Sequence, residues 1–361
     1  MKTINRPRRS LLTFGLAVLT TTGLGLTLGA PAIAAAGTGY VALGDSYSSG
    51  TGTRTYIADG TACQRSTYAY PAIDARALGL ALSFRACSGA TVADVTNTQL
   101  AALTADTSYV TISIGGNDAG FSSVLTTCAL PSWLSNCNKA VDAAQATITQ
   151  TIPGRLSSLY RAIRTRAPRA KVIVVGYPRI FNGDDCNALT WFSPSEESRL
   201  NATADLLNER TATAAATAGY AFVNPTSAFT GHAACDRAEW LNGLSYPITE
   251  SYHPNRSGHA KGYVPLTRPV FGLPAALGMA AATAEARSSA GALARDAKRW
   301  AAADRTVTPQ PFVQPDLSTP RAKAAARAAG VDLSSRASID RVDRVDRAYQ
   351  AKQDAAWAAT R

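Results

Sequence analysis

The chain has 361 residues, 46% hydrophobic and 17% charged, which is enough apolar material for a sizeable core and excludes both wholesale disorder and a disulfide-stapled mini-protein. Its formal charge of +11 is unevenly spread: residues 1–36 carry four basic and no acidic side chains, 266–361 carry 15 and 9, and 37–265 carry 17 and 16. A near-neutral middle removes the electrostatic case for a nucleic-acid partner.

In chain order, the basic stretch Lys2 to Arg9 precedes an apolar, threonine-rich run from Leu11 to Leu28. Small residues follow at Ala32-Ile33-Ala34 and Ala34-Ala35-Ala36. This pattern predicts a signal peptide over 1–36 and a secreted protein. Arg8-Arg9 leaves both the general and the twin-arginine export routes open. No other stretch is long and apolar enough to span a bilayer. Six cysteines in an exported chain, Cys63, Cys87, Cys128, Cys137, Cys186 and Cys235, predict three disulfides. Fifteen pairings are formally possible. Sequential pairing is expected, because it closes the shortest loops and no Cys-x-x-Cys zinc spacing competes.

Short β-rich runs at Tyr40 to Leu43, Leu82 to Arg85, Tyr109 to Ile114, Lys171 to Val175 and Tyr220 to Val223 alternate with helical stretches at Val141 to Arg166 and Ser195 to Thr217. Such alternation predicts an α/β domain over 37–270, with a parallel sheet covered on both faces and its chemistry at the carboxyl ends of the strands. Beyond it, 271–361 is an Ala/Arg-rich C-terminal extension. Pro309, Pro311, Pro315 and Pro320 read as a linker. An amphipathic helix is expected from Ile339 to Ala359, with Val342, Val345, Tyr349 and Ala356 on one side of a partly disordered tail.

The polar clusters fall at the predicted strand ends. Gly44-Asp45-Ser46 follows the first strand and opens a helix, where the Ser46 hydroxyl suits a nucleophile. A serine nucleophile needs a base, and the chain has three histidines, His232, His253 and His259. His253, in Glu250-Ser251-Tyr252-His253-Pro254, is the best placed, with Glu250 as a candidate orienting carboxylate. Gly89 offers a backbone N–H and Asn117 a side-chain amide to a developing oxyanion. Asp118 reads as a cap or orienting group, and His232 and His259 as structural residues. Gly50-Thr51-Gly52 lacks the third glycine of a dinucleotide fingerprint, and His253 with His259 lacks a helical zinc spacing, so neither cofactor nor metal is expected.

Four blocks in series carry a resemblance: Tyr40-Val-Ala-Leu-Gly-Asp-Ser46-Tyr-Ser-Ser-Gly50, Cys87-Ser-Gly89, Ile114-Gly-Gly-Asn117-Asp118 and Ser251-Tyr-His253-Pro254. Together they resemble the SGNH, or GDSL-type, hydrolases, and the six-cysteine layout is similar to the secreted actinobacterial lipase, esterase and phospholipase A1 branch. The resemblance covers about 38 to 270 and implies a three-layer, flavodoxin-like fold. It also implies ester hydrolysis through an acyl-enzyme, without metal or organic cofactor. By block, it implies Ser46 as nucleophile, His253 as base and later acid, and the Ser46 N–H, Gly89 N–H and Asn117 amide as oxyanion hole.

Much of the family has Asp three residues before the histidine, where this chain has Glu250, and some members use a main-chain carbonyl. Glu250 and the Ser251 carbonyl are therefore both candidates to orient His253. The expected substrate is an acyl ester or lipid, met by a monomer in transient contact with a lipid surface. The alternatives are a polysaccharide acetyl esterase of the same family and a cell-surface attachment protein whose tail is the functional part. An unperturbed histidine base predicts activity rising with pH around ~6 to 7.

Overall fold

The computed structural model describes residues 39–187, 189–274 and 290–333. The expected signal peptide and the expected helix from Ile339 to Ala359 lie outside the described residues. Five parallel strands form the central sheet: β1 (Gly39–Gly44), β2 (Ala81–Phe84), β3 (Thr107–Ser113), β4 (Lys171–Val175) and β5 (Ala221–Val223), in the order β2-β1-β3-β4-β5. Val41 pairs with Ser83 on one side and Val110 on the other, and Ile173 pairs with both Thr111 and Ala221. The inner strands are buried along nearly their whole length, because parallel strands linked by helices are covered on both faces.

Right-handed crossovers decide which helix covers which face. The chain leaves β1 in one direction, through α1 (Ser46–Ser49) and α2 (Tyr70–Leu78), to reach β2. It then runs the other way through α3 (Val92–Asp94) to β3, through α4 (Phe121–Cys128), α5 (Cys137–Gln150) and α6 (Ile152–Arg166) to β4, and through α7 (Pro194–Thr217) to β5. Consistently, α8 (Val264–Phe271) packs on α2, while α5 and α6 pack on α7 and α3 packs on α6. The order reverses between β1 and β3, so a crevice opens at their carboxyl ends. The single long helix expected over Val141 to Arg166 is two helices broken at Thr151. Pro153 at the second position of α6 has no N–H to continue the ladder.

The disulfides are Cys63–Cys87, Cys128–Cys137 and Cys186–Cys235, the sequential pairing. The stretch read as a linker lies against the domain. Asp304, at the end of the helical turn Ala301–Asp304, is buried with Arg65 and Arg85. It meets Arg65 Nη2 at 2.6 Å and Arg85 Nη2 at 2.6 Å, and Asp59 meets Arg65 Nη1 at 2.8 Å. Further along, Trp133 packs with Ala326 and Val331 around the helix Pro320–Ala328.

Candidate active site

Three strand ends deliver the site. β1 ends at Gly44, whose φ of +121° and whose missing Cβ, which would lie 2.4 Å from the Ser113 oxygen, both require glycine. Gln99, 55 residues away, grips this peptide from both sides: Gly44 N–H donates to Oε1 at 2.8 Å and Nε2 donates to the Gly44 oxygen at 2.9 Å. Asp45 caps α1 by accepting from Tyr47 N–H at 3.0 Å, and accepts from the Tyr177 hydroxyl at 2.5 Å. Burial, the largest influence, pushes its carboxyl up to about 7 against those two hydrogen bonds. Ser46 is thereby set as the first residue of a one-turn helix directly beyond the strand.

Ser46 Oγ lies 2.8 Å from His253 Nε2. On the far side of the ring, Nδ1 lies 2.8 Å from the main-chain oxygen of Ser251, a contact that requires Nδ1 to carry the proton and leaves Nε2 free to accept from Ser46. Tyr252 between them adopts φ of +61°, a left-handed conformation uncommon for a large residue. It is held by the Tyr47 hydroxyl donating to its oxygen at 2.8 Å, by its own N–H donating to the Asn242 oxygen at 3.0 Å, and by ring contacts with Phe181, Phe192 and Phe312. Glu250, the other candidate to orient the histidine, turns its buried carboxylate elsewhere: it accepts from the Tyr56 hydroxyl at 2.7 Å and pairs with Arg54 Nε at 2.9 Å. The ring contact therefore goes to the Ser251 carbonyl. His253 is only 8% exposed, and burial outweighs the Ser251 hydrogen bond to lower its pKa to about 4.

The candidate oxyanion donors lie together. Ser46, Gly89, Asn117 and His253 line one cavity of about 200 Å³. Among the described residues, the Ser46 and Gly89 N–H groups have no protein acceptor. The Asn117 amide is oriented by donating one hydrogen to the Ala90 oxygen at 2.9 Å, which leaves its second hydrogen for a ligand. Asp118 accepts from Val92 N–H at 2.8 Å and pairs with Arg155 at 2.9 Å, an orienting role for the loop. His259 is fully buried, accepts from Tyr70 N–H at 3.3 Å and stacks on that ring. His232 stacks on Trp240 with its Nδ1 against the Ala238 oxygen. Neither lines the cavity of Ser46.

Sequence reading missed Gln99 and Tyr177, which hold Gly44 and Asp45, and the C-terminal residues Pro309, Gln310 and Pro311, which line the cavity of Ser46. No local pattern marks them, because each acts across dozens to hundreds of positions. A second, apolar cavity of about 60 Å³ adjoins Tyr47 and is lined by Phe121, Val124, Leu125, Ile180 and Leu207 among others.

A doubly wound parallel sheet that presents a serine hydrogen-bonded to a histidine, beside three convergent N–H donors, is the architecture of a serine hydrolase. The chain belongs to the GDSL-like lipase/acylhydrolase family, whose pattern matches residues 42–261. It is 43% identical to a lipase of Streptomyces rimosus over 258 residues, 71% of this chain and 93% of the relative. It is 44% identical to lipase 1 of Streptomyces coelicolor over 64% of this chain and 86% of the relative. Among solved structures, phospholipase A1 of Streptomyces albidoflavus superposes with a TM-score of 0.61 at 43% identity, covering 65% of this chain and 99% of that one. The chain is a carboxylic ester hydrolase.

Proposed function

We propose that the protein is a secreted, monomeric serine esterase of lipase type, with Ser46 as nucleophile and His253 as base. The 2.8 Å contact between Ser46 Oγ and His253 Nε2, inside a cavity shared with Gly89 and Asn117, carries this reading. Ser46 Oγ attacks the ester carbonyl while Nε2 takes its proton, and the Ser251 carbonyl, accepting from Nδ1–H, stabilises the imidazolium that forms. The Ser46 and Gly89 N–H groups and the Asn117 amide receive the oxyanion. His253 then protonates the leaving alkoxide, and water drawn against Nε2 releases the acid by the same steps in reverse.

Among the described residues Tyr246 is the single strongly exposed large aromatic, so a platform for a polysaccharide lacks support. The names of the relatives, lipases and a phospholipase A1, support acylglycerol or phospholipid esters. Three disulfides accord with export.

The test is hydrolysis of a chain-length series of p-nitrophenyl esters and a phospholipid by wild type and Ser46→Ala. Turnover by the first and none by the second is expected. Equal turnover by both would reject Ser46 as nucleophile.

A further inference from the structure

We propose that Thr308–Pro311, carried by the C-terminal extension, form a substrate-selecting wall of the ester site, with Gln310 the specificity-determining residue. The inference rests on Ser46 being the nucleophile. The cavity that holds Ser46, Gly89, Asn117 and His253 is closed on one side by Pro309, Gln310 and Pro311. The wall touches the oxyanion loop itself: a Cβ at Gly89 would lie 2.6 Å from the Thr308 oxygen and 3.0 Å from Pro309 Cα, and Gln310 Nε2 reaches the Gly89 oxygen at 3.5 Å. Any ester whose carbonyl oxygen sits at Gly89 must fit beneath this segment.

The wall is anchored on both sides. Before it, Asp304 is buried with Arg65 and Arg85, and Val307 packs on the Cys63–Cys87 bridge, two residues from Gly89. After it, Phe312 is buried with its ring 5.0 Å from that of Tyr252, the neighbour of His253. Val313 N–H donates to Thr126 Oγ1 at 3.0 Å, and Gln314 Oε1 accepts from the Tyr246 hydroxyl at 2.6 Å. Two prolines flanking Gln310 restrict the backbone between these anchors. The family pattern ends at residue 261, and the S. albidoflavus phospholipase A1 is covered over 99% of its length by 65% of this chain. The wall is therefore an addition to the shared fold, and it gives this chain a limit on ester size set by its own extension.

The experiment uses the full-length protein with Gln310→Ala and Gln310→Trp; Gln310 is only partly buried, so neither change opens the core. Active sites are counted with a fluorophosphonate, and kcat/KM is measured on two series, p-nitrophenyl esters of growing acyl length and acetates of growing alcohol size. Gln310→Trp is expected to lower kcat/KM on the largest accepted ester by about tenfold or more relative to the smallest, and Gln310→Ala to shift the preference the opposite way, the scale of a one-group misfit. An unchanged size profile in both variants, or an equal fall on every ester in Gln310→Trp, would overturn the wall while labelling at Ser46 still stands. Absence of fluorophosphonate on the Ser46 peptide of the wild type would overturn the nucleophile, and the wall with it.

Discussion

His253 Nδ1 meets the main-chain oxygen of Ser251 at 2.8 Å, so the partner that sets the tautomer of the ring is a neutral carbonyl two residues upstream. A carbonyl has no proton to lose and cannot be altered by changing the side chain at 251. Glu250, whose carboxylate serves Tyr56 and Arg54, is accordingly proposed to position the loop rather than the ring. Glu250→Gln is expected to keep kcat within a factor of about ten on a p-nitrophenyl ester. Loss of a true triad carboxylate costs about 10⁴, and a fall of that size would restore Glu250 to the catalytic set.

Burial pushes His253 down to about 4, below the 6 to 7 expected of an unperturbed ring. In the proposed mechanism the base is the neutral imidazole, and a lowered pKa extends that form to lower pH. Thus kcat/KM should rise with pH around a midpoint near 4 and stay flat through neutrality. A pH–rate profile of a non-ionising ester checks this; a midpoint at 6 to 7 would mean that the ring is solvated in the free enzyme.

Asn117 has one amide hydrogen bound to the Ala90 oxygen, and in the proposed mechanism the other is offered to the oxyanion. Asn117→Ala should lower kcat by about 10² to 10³ with a much smaller change in KM, because the donor acts chiefly on the charge of the transition state. Steady-state kinetics separates this from a binding defect, in which KM would carry the change.

Asp304 is shared by two guanidinium groups, and all three side chains are fully buried. Removing it in Asp304→Ala strands buried cations and is expected to cost about 3–5 kcal/mol in urea unfolding. By contrast Arg169, exposed in its pair with the exposed Asp106, should lose under ~1 kcal/mol as Arg169→Ala. Similar costs for the two would mean that the extension does not hold its buried pose in solution.

Reducing the disulfides should destabilise the native state by about 2–4 kcal/mol for each bridge, the loop-closure entropy returned to the unfolded chain. Titration of free thiols in the native protein is expected to find none, since all six cysteines are paired.

The sequence alone was sufficient for whatever is local. A buried strand declares itself by a run of β-branched and aromatic residues, so β1, β3 and β4 were legible within a residue or two. Glycines with required backbone conformations sit inside short blocks with the chemistry they would support, so the sequence puts Ser46, Gly89, Asn117 and His253 forward as candidates, and the fold brings the four to one cavity. An even set of cysteines spaced in series made the pairing legible. Tertiary structure alone decided what depends on distant contacts. Glu250 and Ser251 are equally close to His253 along the chain, and only Arg54 and Tyr56, about 194 positions from Glu250, draw its carboxylate away. The extension reads as a linker because alanine, arginine and proline show no apolar periodicity. It is held by Asp304, whose partners lie 219 and 239 residues upstream, because Asp59 satisfies one side of the buried Arg65 and the charge that pairs with the buried Arg85 comes from the extension.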